Sequence, residues 1–208
     1  GSVLGNRLLP DVLASVTDQP VADVVRILQA AADAGLVNHT TDGEFWFVHD
    51  LFRETLYSRL DVTDRARLHH RIAEALEARV VRGAIVPSGD IARHFTAAIT
   101  EGPIDRAIQW AHQAAADDRR RSAFTEAANH LQRVRTATLD AGWAIRPDAL
   151  FDLLVDEAEA RARSGTPDRA RSLLADADRI APGPQEHADV ALAVQRLGAR
   201  FAMPRGAI

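Results

Sequence analysis

Cysteine is absent from this sequence, and so is lysine. The first absence excludes disulfides, thiolate metal sites and a cysteine nucleophile, and leads us to expect a cytoplasmic protein. The second makes all 25 basic side chains arginine, which together with the abundance of alanine points to a GC-rich coding sequence rather than to a function. No apolar run approaches the roughly 20 residues that a membrane helix needs, so no membrane partner is expected. There is no glycine-rich phosphate loop of the GxxxxGK[ST] form, no G-x-S-x-G and no HExxH. The chain therefore shows no motif for phosphoryl transfer, serine hydrolysis or zinc hydrolysis, and we expect it not to be an enzyme and to hold no catalytic residue. Eight histidines are present, but His69 and His70 are adjacent and point apart, while His94, His112 and His130 fall on separate predicted helices. They are expected to be surface or interhelical residues, with no metal site.

What remains is an ordinary globular mixture. The 208 residues are 47% hydrophobic and 26% charged, enough for one large or two small domains with a real core. The formal net charge is -4, a poor basis for binding a phosphate backbone, which needs clustered cations. Gly1-Ser2 without an initiator methionine resembles a tag remnant, so the chain is expected to be an excised fragment.

Along the chain, "NRLLPDVLASV" places Leu8, Leu9, Val12, Leu13 and Val16 on a helical stripe. In the next segment Pro20 suits a first helical turn, and Val21, Val24, Val25, Leu28 and Ala32 share a face up to a stop at Gly35. "LVNHTTDGEFWFVH" reads as a β-hairpin, with strands over 36–40 and 44–48 and a turn at Asp42-Gly43. Two helices and a hairpin suggest a winged-helix module. Its second strand, Phe45, Trp46, Phe47 and Val48, is apolar on both faces of the pleat, which implies a second packing partner beyond the module's own helices. From Asp50 onward the pattern is helical. Asp50 is placed as N-cap of a helix over 51–60, Thr63 as cap of the next, and further helices are drawn as far as Met203.

A repeat signal lies in "SGTPDRARSLLADADRIAPGP". Gly165 ends one helix, Ala170, Leu174 and Ala177 occupy helical spacing on the next, and Pro182 closes it. Small residues at those places let two helices approach closely, as in the second half of a tetratricopeptide repeat, and Ala158 supplies the small residue of the first half. Weaker echoes occur at Gly102, Ala107, Ala111 and Ala114, and at Ala127, Leu131 and Val134. The expected architecture is mainly α: a winged-helix module with a small β-hairpin over 3–62, linking helices and degenerate repeat hairpins over 63–145, and a repeat region over 146–203, together an α-solenoid.

His49-Asp50 stands where the aromatic strand gives way to helix. Unsatisfied N–H groups at a helix start favour anions; an imidazole there also serves as an ordinary corner residue. The stretch "FVHDLFRETLYSRL" followed by "RARLHHRIAEALE" resembles the segment after the ATPase core in STAND-type signal-transduction ATPases. It is most similar to actinobacterial large ATP-binding regulators of the LuxR type and to their AfsR-like and cyclase-linked relatives. "VHDL" also resembles the MHD element of NB-ARC ATPases, with Val48 in place of Met. The resemblance implies that His49 contacts the β-phosphate of bound ADP, that Asp50 fixes the corner, and that ATP or ADP is the cofactor of a longer protein while the fragment itself holds none. It further implies an upstream nucleotide-binding domain as partner, a protein or small-molecule effector on the helical repeats, and an output in transcription regulation. Two other readings follow from the residues alone. One is an adaptor that binds a partner peptide on the helical repeats. The other is a winged-helix repressor, against which stands the segment 21–34, with Arg26 as its only cation beside Asp23 and Asp33.

Overall fold

The computed structural model describes the backbone of residues 1–41 and 43–201, with side chains for 1–41 and 43–196. Asp42, expected in the hairpin turn, and Met203, expected at the end of the last helix, lie outside the described residues. The protein is mainly helical, with a small antiparallel sheet of three strands. It divides into two compact units, 1–103 and 104 onward.

The first unit begins with strand β1 (Arg7–Leu8) and helices α1 (Pro10–Thr17) and α2 (Val21–Asp33). Strands β2 (Val37–His39) and β3 (Phe45–Phe47) follow, then helices α3 (Asp50–Ser58), α4 (Val62–Val81) and α5 (Ser88–Ala97). Strand β1 was not expected. The spacing of Leu8 and Leu9 predicts a helical stripe, but Pro10 lacks an N–H and disfavours helical backbone in the residue before it. Leu9 is accordingly extended (φ -95°, ψ 110°), helix α1 starts at Pro10, and Leu8 is left to pair in a sheet.

The sheet order is β1-β3-β2, which puts the aromatic strand in the centre. Phe45 and Phe47 are buried, with Leu8 opposite Phe45 and Val37 opposite Phe47. Trp46 points to the other face, half-buried between its cross-strand neighbours Arg7 and Asn38. The expected stripe on α2 is narrower than its sequence suggests: Val24 and Leu28 are buried, while Val21 is exposed. Helix α2 ends as Gly35 takes up a left-handed φ of 72°, and Leu36 N–H donates to the Ala31 carbonyl at 3.0 Å, satisfying an end that would otherwise be orphaned. Helix α4 packs on α1 and on α5. Its cap is Asp61, whose carboxylate accepts from Asp64 N–H at 2.8 Å, so Thr63 falls within the first turn instead of capping it.

The second unit holds helices α6 (Ile104–Arg120), α7 (Phe124–Asp140), α8 (Pro147–Arg163), α9 (Pro167–Ile180) and α10 (Pro184–Phe201). Each packs on the next from α6 to α10. Proline begins α8, α9 and α10, where its missing N–H costs no helical bond. The small residues picked out by spacing are all buried: Ala107, Ala111 and Ala114 on α6, Ala127 on α7, Ala158 on α8, Ala170 and Ala177 on α9. Ala158, Ala170 and Ala177 close the core between α8, α9 and α10 together with Phe151, Leu154, Leu173, Leu174 and Val190. The helix pairs α1–α4 and α7–α8 span residues 62/63 and 145/146, so neither expected boundary coincides with the division at 103/104.

Candidate functional site

The corner between β3 and α3 carries the two residues singled out by the sequence. Val48 N–H donates to the Leu36 carbonyl at 3.1 Å, which ties the end of the hairpin. His49 then takes the N-cap position of α3 with extended backbone (φ -134°, ψ 137°), and no side chain caps this end. This corrects the expected arrangement: Asp50 is the first residue of the helix, not its cap. The reason is the extended conformation at His49, which carries the strand geometry one residue further. The Asp50 carboxylate is exposed and lies 3.8 Å from Arg53 Nε, one turn along. The His49 ring is exposed and tilted against Phe52, with ring centres 5.8 Å apart. The exposed imidazole thus stands at a helix start without a side-chain cap.

Beside this corner runs an apolar groove of about 350 Å³ within the first unit. Leu13, Leu28 and Phe47 are buried in its lining, while Ile27, Leu36 and Leu56 are exposed along it. Helix α3 contributes Phe52, Thr55 and Leu56 to that lining, yet none of its nine residues is buried.

Behind α3 lies a polar line that the sequence reading did not assemble. Tyr57 Oη is 3.1 Å from His69 Nε2, His69 Nδ1 is 2.8 Å from His94 Nδ1, and His94 Nε2 is 3.0 Å from an Arg93 guanidinium nitrogen. The same nitrogen of Arg93 donates to the Leu4 carbonyl at 3.2 Å. His69 and His94 are buried, so α4 and α5 bring together two rings that the sequence had placed on separate helices. Burial lowers both from the ordinary value, and the neighbouring Arg93 charge lowers them further: His69 to about 4 and His94 to about 2. Both are therefore neutral near pH 7.

No family model, curated protein or solved structure matches this chain. Among the described residues no group of three or more histidines and carboxylates is arranged to hold a metal ion. Among the same residues no helix is long and apolar enough to cross a membrane.

In the second unit several charged residues form ties between helices. Glu157 is fully buried on α8 and accepts from Arg135 of α7 at 2.8 Å. Its other oxygen faces Arg161 Nε at 3.9 Å without a direct hydrogen bond. Arg161 in turn donates to Asn129 at 3.1 Å and to Gln132 at 2.6 Å, both on α7. The adjacent Asp156 turns the other way, to His112 of α6 at 2.9 Å and Arg119 of α6 at 3.4 Å. Burial pushes the Asp156 carboxyl up, but the His112 hydrogen bond and the Arg119 charge outweigh it and hold the group below the usual carboxylate range. These pairs tie helices together.

Proposed function

We propose that the chain is the regulatory, protein-interaction arm of a larger signal-transduction ATPase that regulates transcription. In this reading the first unit is a winged-helix module that contacts a nucleotide-binding domain upstream, and the second unit is a tetratricopeptide-like array that receives an effector. The observation that carries the reading is the corner itself. A three-stranded sheet in the order β1-β3-β2 leads its central aromatic strand directly into an exposed imidazole at an uncapped helix start. The position of His49 after Phe45–Phe47 supports contact with a phosphate supplied from another domain, because imidazole and free N–H groups both favour an anion there. Asp50, beside Arg53, holds the first turn rather than the ligand. The array reading is supported by the buried alanines of α6 to α9 and by the glycine turns at Gly102 (φ 97°) and Gly165 (φ 86°).

Against DNA recognition by the winged helix stands the little charge that α2 has to offer. Its only cation, Arg26, is paired with Asp23 at 2.6 Å one turn away. A groove-reading helix presents several free basic and polar groups.

The test is ADP affinity and output activity of the full-length protein carrying His49→Ala. The expected result is weaker ADP binding and raised basal output with an unchanged fold, since a switch must favour one state by a few kcal/mol. Unchanged affinity and output would make His49 an ordinary corner residue and remove the main support for the ATPase reading.

A further inference from the structure

Helix α3 is held unlike any other helix of its unit. At nine residues it is too short to persist alone in water. It buries no residue, and its apolar contribution is to line one side of an open groove. What reaches it from the interior is the end of the buried polar line, at Tyr57 Oη. Arg65 of α4 lies over the Tyr57 ring, 5.2 Å from its centre, and clasps the same side chain from outside.

The direction of that line follows from donor chemistry. A guanidinium can only donate, so His94 Nε2, 3.0 Å from Arg93, is the acceptor. A neutral ring that accepts at Nε2 carries its proton at Nδ1, so His94 donates to His69 Nδ1. His69 then carries its proton at Nε2 and donates to Tyr57 Oη. On that contact each tautomer follows from the one before it, from Arg93 to Tyr57; the Leu4 carbonyl is the competing partner of His94, as an acceptor. We infer that Arg93, His94, His69 and Tyr57 form a one-way latch that holds α3 as a hinged cover over the apolar groove, so that the position of α3 depends on a residue of α5 that does not touch it. The latch needs no assumption about nucleotide, since every part of it lies within residues 1–103.

Its consequence is local. Releasing Tyr57 leaves α3 attached through its two chain ends, the half-buried Phe52 and the exposed Leu56, the profile of an element that opens well before the whole unit does. Opening uncovers Leu28 and Phe47 in the groove.

Three measurements on this chain at pH 7 test the latch. In ¹⁵N-imidazole NMR, His94 is expected as the Nδ1–H tautomer and His69 as the Nε2–H tautomer. The reverse order, with Tyr57 donating inward and His94 donating from Nε2 to the Leu4 carbonyl, would overturn the direction and with it the dependence on Arg93. In hydrogen exchange, the α3 amides are expected to exchange roughly five- to tenfold faster in Tyr57→Phe, which keeps the ring and loses one hydrogen bond. The same acceleration is expected in Arg93→Met, with the amides of α6 to α9 unchanged in both variants. Acceleration confined to α5 in Arg93→Met, or no change in α3 in Tyr57→Phe, overturns the latch. Should Arg93→Met fail to fold, the tautomers and Tyr57→Phe decide alone. Finally, emission of a hydrophobic dye that binds exposed apolar surface is expected to rise in Tyr57→Phe, and a level equal to the parent overturns the cover.

Discussion

His69 and His94 occupy places that ordinarily go to leucine or isoleucine. On α4, Ile72 and Leu76 are buried, and His69 lies three residues before the first and seven before the second. On α5, His94 lies between Ile91 and Phe95 on the inward side, with Ala98 one turn on. The spacing needed to place both rings in the core was thus present in the sequence. Their pairing was not, because it depends on how α4 packs on α5, and local periodicity is silent on that. A pH dependence follows. Both rings titrate at ordinary values when unfolded and are depressed when folded, so the unfolded chain binds more protons below about pH 6.5. Stability is fully present above that pH and declines as pH falls towards about 4 for His69 and lower for His94. Urea melts of the parent should lose on the order of 1 kcal/mol per pH unit per histidine between pH 6 and 4.5, and His69→Gln should show a shallower slope. Equal slopes would place the His69 ring in solvent. A second residue of this kind is Glu157. Its truncation to alanine leaves Arg135 and Arg161 side by side and largely buried, and should cost about 3–5 kcal/mol. A urea midpoint within error of the parent would mean that the carboxylate is not confined as described.

At the scale of elements, helices with a strong stripe and a terminal glycine or proline were legible, and their bounds differ by a few residues from expectation. Helix α9 is the clearest case: the spacing singles out Ala170, Leu174 and Ala177, and all three are buried in the core shared with α8. Since Ala170 has no free space around it, Ala170→Leu should overpack that seam and lower stability by about 1–3 kcal/mol. A melt indistinguishable from the parent would show the two helices to be further apart. Strand β1 was missed because two residues are too few to display alternation, although the proline after them carried the decisive signal. The junction residue His49 was legible as a site candidate from type and position. The latch behind it was not, since its four members are spread from 57 to 94 and meet only through tertiary packing.

For the whole molecule, composition set firm limits and topology did not follow from it. A net charge of -4 with its basic side chains so often committed to neighbouring carboxylates leaves little for a polyanion. Gel shifts with duplex DNA at physiological salt should show no tight, salt-sensitive complex, and a band abolished by Arg26→Ala would contradict the paired state of that residue. The division at 103/104 was hidden because the helical pattern runs through it without a linker; only packing reveals where one core closes. The sheet of the first unit has a bearing on how the protein behaves among many copies of itself. Its long-lived hazard is strand-to-strand growth, which starts from unpaired backbone along an exposed edge. Here the most aromatic strand, β3, is interior to the sheet, and the outer strands β1 and β2 are two and three residues long. They carry Arg7, Asn38 and His39 outward, with Arg7 paired to Glu44. The segment best suited to nucleate fibres is thus fenced on both sides by strands too short and too polar to template another chain, and concentrated solutions should remain clear for as long as that sheet stays closed.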